Sequence, residues 1–108
     1  MAENGPVDLS SDELESTIEN NSALVLDFWA EWCAPCKTIE PVMEDLAEKH
    51  GKEIFFGKVN VEEEKDAARN YGVSSIPNVL FIKDGEVIDR IVGAVPKNEI
   101  EKKIEDLK

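Results

Sequence analysis

Residues Ala23 to Trp29, Ala-Leu-Val-Leu-Asp-Phe-Trp, are the longest apolar run in the chain and the strongest constraint on its fold. The run is short, continuous but for Asp27, and flanked by polar residues. Such a segment suits a strand buried on both faces, as in a sheet covered by helices on each side. It is far shorter than the ~20 apolar residues that cross a bilayer.

Helix and strand signals alternate around this run. Ser10 to Asn20 reads as a short helix with Leu14 and Ile18 on its apolar stripe. Ser10 and Glu13 form a capping box, each side chain satisfying the other's free backbone donor. From Pro35 onward, Ile39, Val42, Met43, Leu46 and Ala47 fall on one face of an amphipathic helix. Pro41 should kink that helix, and Gly51 should stop it. Ile54 to Val61 predicts a second buried strand. Glu62 to Tyr71 predicts a helix with acids in its first turns and Gly72 at its close. Asn78 to Ile82 and Glu86 to Val92 are two strands joined by a hairpin at Lys83-Asp84-Gly85. Pro96 opens a last helix, with Ile100, Ile104 and Leu107 inward. Before Ser10, Val7 to Leu9 offers a short edge strand. With no linker, repeat or low-complexity segment, residues 1–108 read as one domain. Strands alternating with helices, then a hairpin and a closing helix, indicate an α/β sandwich with a mixed sheet.

Composition removes several classes of function. The 24 acidic and 12 basic residues give a formal net charge of -12. Nonspecific nucleic-acid binding needs Lys and Arg to displace counterions, and anionic membranes attract the same residues. The charge reads instead as a solvated surface on a soluble monomer. Met1 to Asp12 has neither a positive n-region nor an apolar h-region, so a cytoplasmic location is expected. Two cysteines make no disulfide scaffold. In a reducing compartment a close pair is catalytic or metal-binding.

That pair is Cys33 and Cys36, in Trp32-Cys33-Ala34-Pro35-Cys36-Lys37, where the buried strand hands over to a helix. Two intervening residues bring the sulfurs within bonding distance, so a disulfide can open and close locally. A helix N-terminus offers unpaired N–H groups and partial positive charge, which favour thiolate. Only thiolate attacks a disulfide. Cys33, on the loop side, should be the exposed nucleophile, and Cys36, inside the first turn, the shielded resolver. Pro35 fits the first helical turn and stiffens the ring. The competing reading is half of a zinc site. Structural zinc takes about four ligands, and the only other soft ligand is His50, near the far end of the same helix. A zinc-bridged dimer is the form that reading leaves open.

The stretch Val25 to Lys37 closely resembles the active-site segment of the thioredoxin family. The resemblance continues through Pro41, Lys58-Val59-Asn60-Val61, Tyr71-Gly72-Val73, Ile76-Pro77, Phe81, Asp84-Gly85 and Val92-Gly93-Ala94, in order and at similar spacing. It implies the thioredoxin fold, a three-layer sandwich with a central mixed sheet whose strand after Pro77 is antiparallel to the strand leading to the cysteines. It implies reduction of protein disulfides through a Cys33–Cys36 disulfide, with no other cofactor and no metal. Electrons would come from a separate thioredoxin reductase. Asp27 becomes a proton acceptor for Cys36, acting through water. A lone buried carboxylate costs several kcal/mol when charged, on the order of a shifted titration rather than a tolerated charge, so its pKa should rise. Lys58 resembles the lysine that faces and tunes this aspartate. Pro77 matches a cis proline that sets the Ile76 backbone beside the sulfurs to pair with an extended substrate. Gly93 lets a substrate backbone approach, with Ala94 beside it. Trp32 offers apolar contact at the site, and Trp29 packs beneath it. Tyr71, Phe28 and Phe81 read as core.

Two residues depart from the commoner family pattern. Ala34 stands where Gly is usual between the cysteines, and Asn78 follows the proline where Thr is usual. Both flank the sulfurs, so they bear on redox potential and partner preference. An oxidant or isomerase of similar fold, a glutathione-using protein and a noncatalytic binding subunit are the competing functions. The last would use the apolar surface around Trp32, Ile76 and Ala94.

Overall fold

The strand expected at the centre is there, with the expected bounds. The computed structural model describes residues 5–108. The reading of Met1 to Asp12 as lacking an export signal falls in part on residues 1–4, outside the described residues. In chain order the elements are β1 (Val7–Asp8), α1 (Ser11–Asn20), β2 (Ala23–Trp29), α2 (Ala34–His50), β3 (Phe55–Asn60), α3 (Lys65–Asn70), β4 (Asn78–Lys83), β5 (Glu86–Val92) and α4 (Lys97–Asp106). The sheet order is β1-β3-β2-β4-β5. β1, β3 and β2 run parallel, and β4 and β5 are antiparallel to their neighbours.

Alternation along β2 divides the core in two. Ala23 and Val25 pack with Ile39, Met43 and Leu46 of α2 and Ile100 and Ile104 of α4. Leu24, Leu26 and Phe28 pack with Leu14 and Ile18 of α1 and Ala67 of α3. A period of two therefore places Asp27 on the α2 face, in line with Val25. Its register neighbours are Lys58 on β3 and Val79 on β4.

The capping box at Ser10 and Glu13 is formed. The β4–β5 hairpin turns through Asp84 (φ 50°) and Gly85 (φ 84°), the left-handed pair that two-residue hairpins favour. Helix α2 is continuous across Pro41, which cannot donate to the Lys37 carbonyl. Gly51 caps it with a right-handed φ of -66°, so the stop does not use glycine's special freedom. The helix expected over Glu62 to Tyr71 is shorter. Asn60 Oδ1 accepts from the Glu62 N–H (2.9 Å). The Asn60 carbonyl accepts from the Glu63 (3.1 Å) and Glu64 (2.8 Å) N–H groups. This side-chain turn competes with helix and delays α3 to Lys65. Tyr71 is half-buried, its ring tilted against Phe28 at 6.4 Å between centroids, whereas Phe28 and Phe81 lie fully in the core. No helix among the described residues is long and apolar enough to cross a membrane.

Gly57 is where β1, β2 and β3 come together. A Cβ there would stand 2.7 Å from Leu9 Cδ1 and 3.1 Å from Leu26 Cδ2. Gly57→Val is expected to destabilise the fold by about 1–3 kcal/mol through overpacking, read as a lower denaturation midpoint in urea.

Candidate functional site

β2 ends at Trp29, and Ala30 to Trp32 turn the chain into α2. Cys33 is the N-cap of α2 and Cys36 lies in its first turn. Their Cα atoms are 5.3 Å apart and the sulfurs are joined as a disulfide. Cys33 Sγ accepts a hydrogen bond from the Cys36 N–H at 3.2 Å. It thus takes the place an N-cap oxygen would take, facing the unpaired donors and positive end of a 17-residue helix. A negative charge on this sulfur is stabilised there.

The expected contrast in exposure between the cysteines is not present. Both residues are 3% exposed in the disulfide form. Bonding pulls the two sulfurs together under a cluster with Ala30, against which Trp29, Val61 and Ile76 pack. What distinguishes them is surroundings. Cys36 borders a cavity of about 10 Å³ with Asp27, Trp29, Lys37, Glu40 and Lys58, and Cys33 does not. That is room for about one water.

Asp27 is 5% exposed. Its Oδ1 has no hydrogen-bond partner among the described residues. Burial pushes its pKa up from 3.8 to about 7, against the pull of Lys58 and with the help of Glu40. Lys58, half-buried on the adjacent strand, is shared. Its Nζ lies 3.6 Å from Glu40 Oε2 and 4.9 Å from the centroid of the Trp29 ring. The Lys37 ammonium lies 6.0 Å from the same ring and bonds Glu31 at 2.7 Å. Trp29 therefore packs beneath the site as a cation-covered plate, within range for cation–π attraction.

The opposite wall comes from β4 and β5. The Ile76–Pro77 peptide is cis. Pro77 is buried and Ile76 half-buried against the disulfide. Gly93 has φ 96° and donates to the Pro77 carbonyl at 2.8 Å. Nothing lies within 4 Å of a Cβ built on it, so the space above it is open. Ala94 is exposed beside it. Trp32 is 67% exposed, with Nε1 donating to Glu62 at 3.0 Å. Together with Val61, Val73, Ser74, Ser75 and Ile76 it lines a groove of about 350 Å³.

Asp27 and Lys58 thus border Cys36 at the small cavity, while Ile76 packs against the disulfide and shares the groove with Trp32, next to Pro77, which Gly93, followed by Ala94, bonds. Glu40 and Glu62 are additions. Glu40 had a signal, since it follows Cys36 by four residues and so shares its helix face. The pairing of Glu62 with Trp32 depends on the Asn60 turn and had none. His50 is buried a helix length from the cysteines, with Nε2 2.9 Å from Glu101. The one candidate ligand cluster among the described residues holds His50, Glu101 and Glu105 and neither cysteine.

A disulfide at the N-terminus of a helix, at the carboxyl end of a central strand and above a buried carboxylate, defines a dithiol–disulfide oxidoreductase. Comparison with known proteins agrees. The thioredoxin family model matches residues 5–106. A thioredoxin from Chlorobaculum thiosulfatiphilum is 45% identical over 89 residues, 82% of each chain. The chloroplastic M-type thioredoxin of Pisum sativum is 43% identical over 98 residues, 91% of this chain and 56% of that one. Among solved structures, a point variant of Halobacterium salinarum thioredoxin superposes with a TM-score of 0.89 at 31% identity, covering 96% of this chain and 91% of that one. Oxidised mitochondrial thioredoxin 3 of Saccharomyces cerevisiae gives 0.87 at 35% identity, covering 94% and 95%. The chain belongs to the thioredoxin family, and it is a protein-disulfide oxidoreductase.

Between pH 3.8 and about 7 the folded chain keeps a proton on Asp27 that the unfolded chain releases. This group's contribution to stability therefore falls as pH rises through that window, by on the order of a few kcal/mol. Asp27→Asn should change stability little at pH ~4 and raise it above pH ~7, as denaturation midpoints across pH will read. Glu40→Gln removes a neighbouring negative charge, and the Asp27 titration, followed by carboxyl NMR, should move down.

Proposed function

We propose that Cys33 is the attacking sulfur, Cys36 the resolving one and Asp27 the proton acceptor for Cys36. The hydrogen bond from the Cys36 N–H to Cys33 Sγ carries this reading, because it favours negative charge on Cys33 alone. In the reduced protein the Cys33 thiolate attacks one sulfur of a substrate disulfide. A mixed disulfide forms and one substrate thiolate leaves. Cys36 passes its proton to Asp27 through a water in the small cavity and attacks Cys33 Sγ. The second substrate thiolate leaves, and the Cys33–Cys36 disulfide is restored. Two electrons pass from the cysteine pair to the substrate, and no further group takes part.

Lys58 tunes Asp27 by opposing the neutral form, and Glu40 moderates that effect by sharing the same ammonium. Ile76, placed by Pro77, presents backbone to an extended substrate segment. Gly93 and Ala94 leave room for it, and Trp32 adds apolar contact. Substrates are proteins with accessible disulfides. The protein acts as a monomer in electron transport and redox homeostasis. Re-reduction by a thioredoxin reductase closes the cycle, and the cytoplasm is the reducing compartment proposed for it. A noncatalytic binding role would survive replacement of both cysteines by serine, and complementation in a thioredoxin-deficient cell separates the two.

Cys36→Ser is expected to trap a mixed disulfide with substrate proteins, visible as a reductant-sensitive adduct on gels, while Cys33→Ser traps none. The opposite pattern would exchange the two roles.

A further inference from the structure

Asn78 stands where the family usually has Thr, and the reaction gives it no task. It is 2% exposed, yet both ends of its amide are paired. Nδ2 donates to the Ser75 carbonyl at 3.2 Å, and Oδ1 accepts from Arg90 Nη1 at 3.1 Å. Arg90 lies on β5, opposite Leu80 of β4. Its Nη2 donates to the Tyr71 carbonyl at 2.8 Å, and Nη1 also reaches the Gly72 carbonyl at 3.4 Å. One guanidinium therefore holds the chain where α3 ends and again where β4 begins.

Val73 and Ile76 of the segment between those points pack against the core, but the segment makes few other hydrogen bonds. Gly72 and Val73 donate back to Arg69 (3.2 Å) and Ala68 (2.8 Å) at the end of α3. Ser74, Ser75 and Ile76 make no backbone–backbone hydrogen bond among the described residues. Ser74 and Ser75 are exposed. Yet Val73 to Ile76 form one wall of the groove opposite Trp32. A planar fork bonding several acceptors fixes a geometry that a single ammonium does not.

We infer that Arg90 and Asn78 are positioning residues for the segment Val73 to Ile76, setting how this oxidoreductase docks folded protein disulfides without touching the sulfur chemistry. The inference rests on the reading that the groove of Trp32 and Ile76 takes the substrate. Loss of the fork leaves the sulfurs, Asp27 and Lys58 in place. It lets the groove wall sample other positions, so docking weakens while the exchange step does not.

The test uses the full chain, with dithiothreitol as reductant, insulin as the protein disulfide and cystamine as a small disulfide that needs no groove. Arg90→Met keeps the length of the side chain and removes its donors. It should raise the KM for insulin about five- to tenfold, the loss expected for about one kilocalorie-scale set of hydrogen bonds. The kcat for insulin and the rate constant for cystamine should stay within about twofold of the parent. Arg90→Lys should give an intermediate KM and keeps the inference testable if the Met variant is unfolded by circular dichroism. An unchanged KM in folded variants, or a parallel fall in kcat and cystamine rate, overturns the inference. Trp32→Ala tests the groove separately. If it leaves the insulin KM unchanged, the docking reading itself fails. If it raises KM and the Arg90 variants do not, only the positioning role fails.

Discussion

Strand β2 stands at the middle of the five-stranded sheet, with a neighbour on each edge and a helical layer on each face. Seven residues must satisfy two cores in strict alternation. That requirement puts Asp27 under α2 rather than under α1, and it puts the turn into α2 at the strand's carboxyl end. The Cys pair inherits its position from both. A one-residue slip of β2 would send Asp27 to the α1 face and a leucine under the disulfide. The reaction chemistry is therefore fixed by the same alternation that builds the core.

A charge economy follows from this burial. Among the described residues Asp27 is the one buried carboxylate, and with its neighbours it forms a chain of shared charges: Asp27 beside Lys58, Lys58 beside Glu40. Each member limits the next. Burial holds Asp27 toward its neutral form, Lys58 pulls it back toward ionisation, and Glu40 weakens that pull. A carboxyl that titrates at about 7 can both take and return a proton near neutral pH. A fully ionised or fully neutral carboxyl would serve only one direction of the exchange.

Much of this was legible in the residues themselves. The capping box, the bounds of β2 and β5, the helix that begins beside Cys36 and the hairpin at Asp84-Gly85 are local, and local chemistry decided them. The helix expected from Glu62 failed because the Asn60 side chain captured the amide of Glu62, an alternative that hydrophobic periodicity does not register. Cys33 was expected to be exposed because it lies on the loop side of the helix. Its burial follows from Ile76 and Val61, which sequence separates widely from it. The contacts of Lys58 with Glu40, of Trp32 with Glu62 and of Arg90 with the Tyr71 carbonyl arise only after strand order is set. They join residues far apart in the chain, and nothing in either partner's local sequence names the other.

Strand order also separates two tasks that meet at the disulfide. In the mechanism proposed above, proton handling falls to β2, β3 and α2, through Asp27, Lys58 and Glu40. In the same reading, substrate docking falls to the loop before β4 and to β5, through Ile76, Gly93 and the guanidinium of Arg90. The first set is held by packing on both faces of the sheet. The second adds to the packing of Ile76 the few hydrogen bonds that Asn78 and Arg90 supply. Substitutions at the edge can thus alter which disulfides are taken while the reaction at the centre stays the same. Ala34 differs in kind from Asn78 on this view, because it sits inside the ring formed by Cys33 and Cys36.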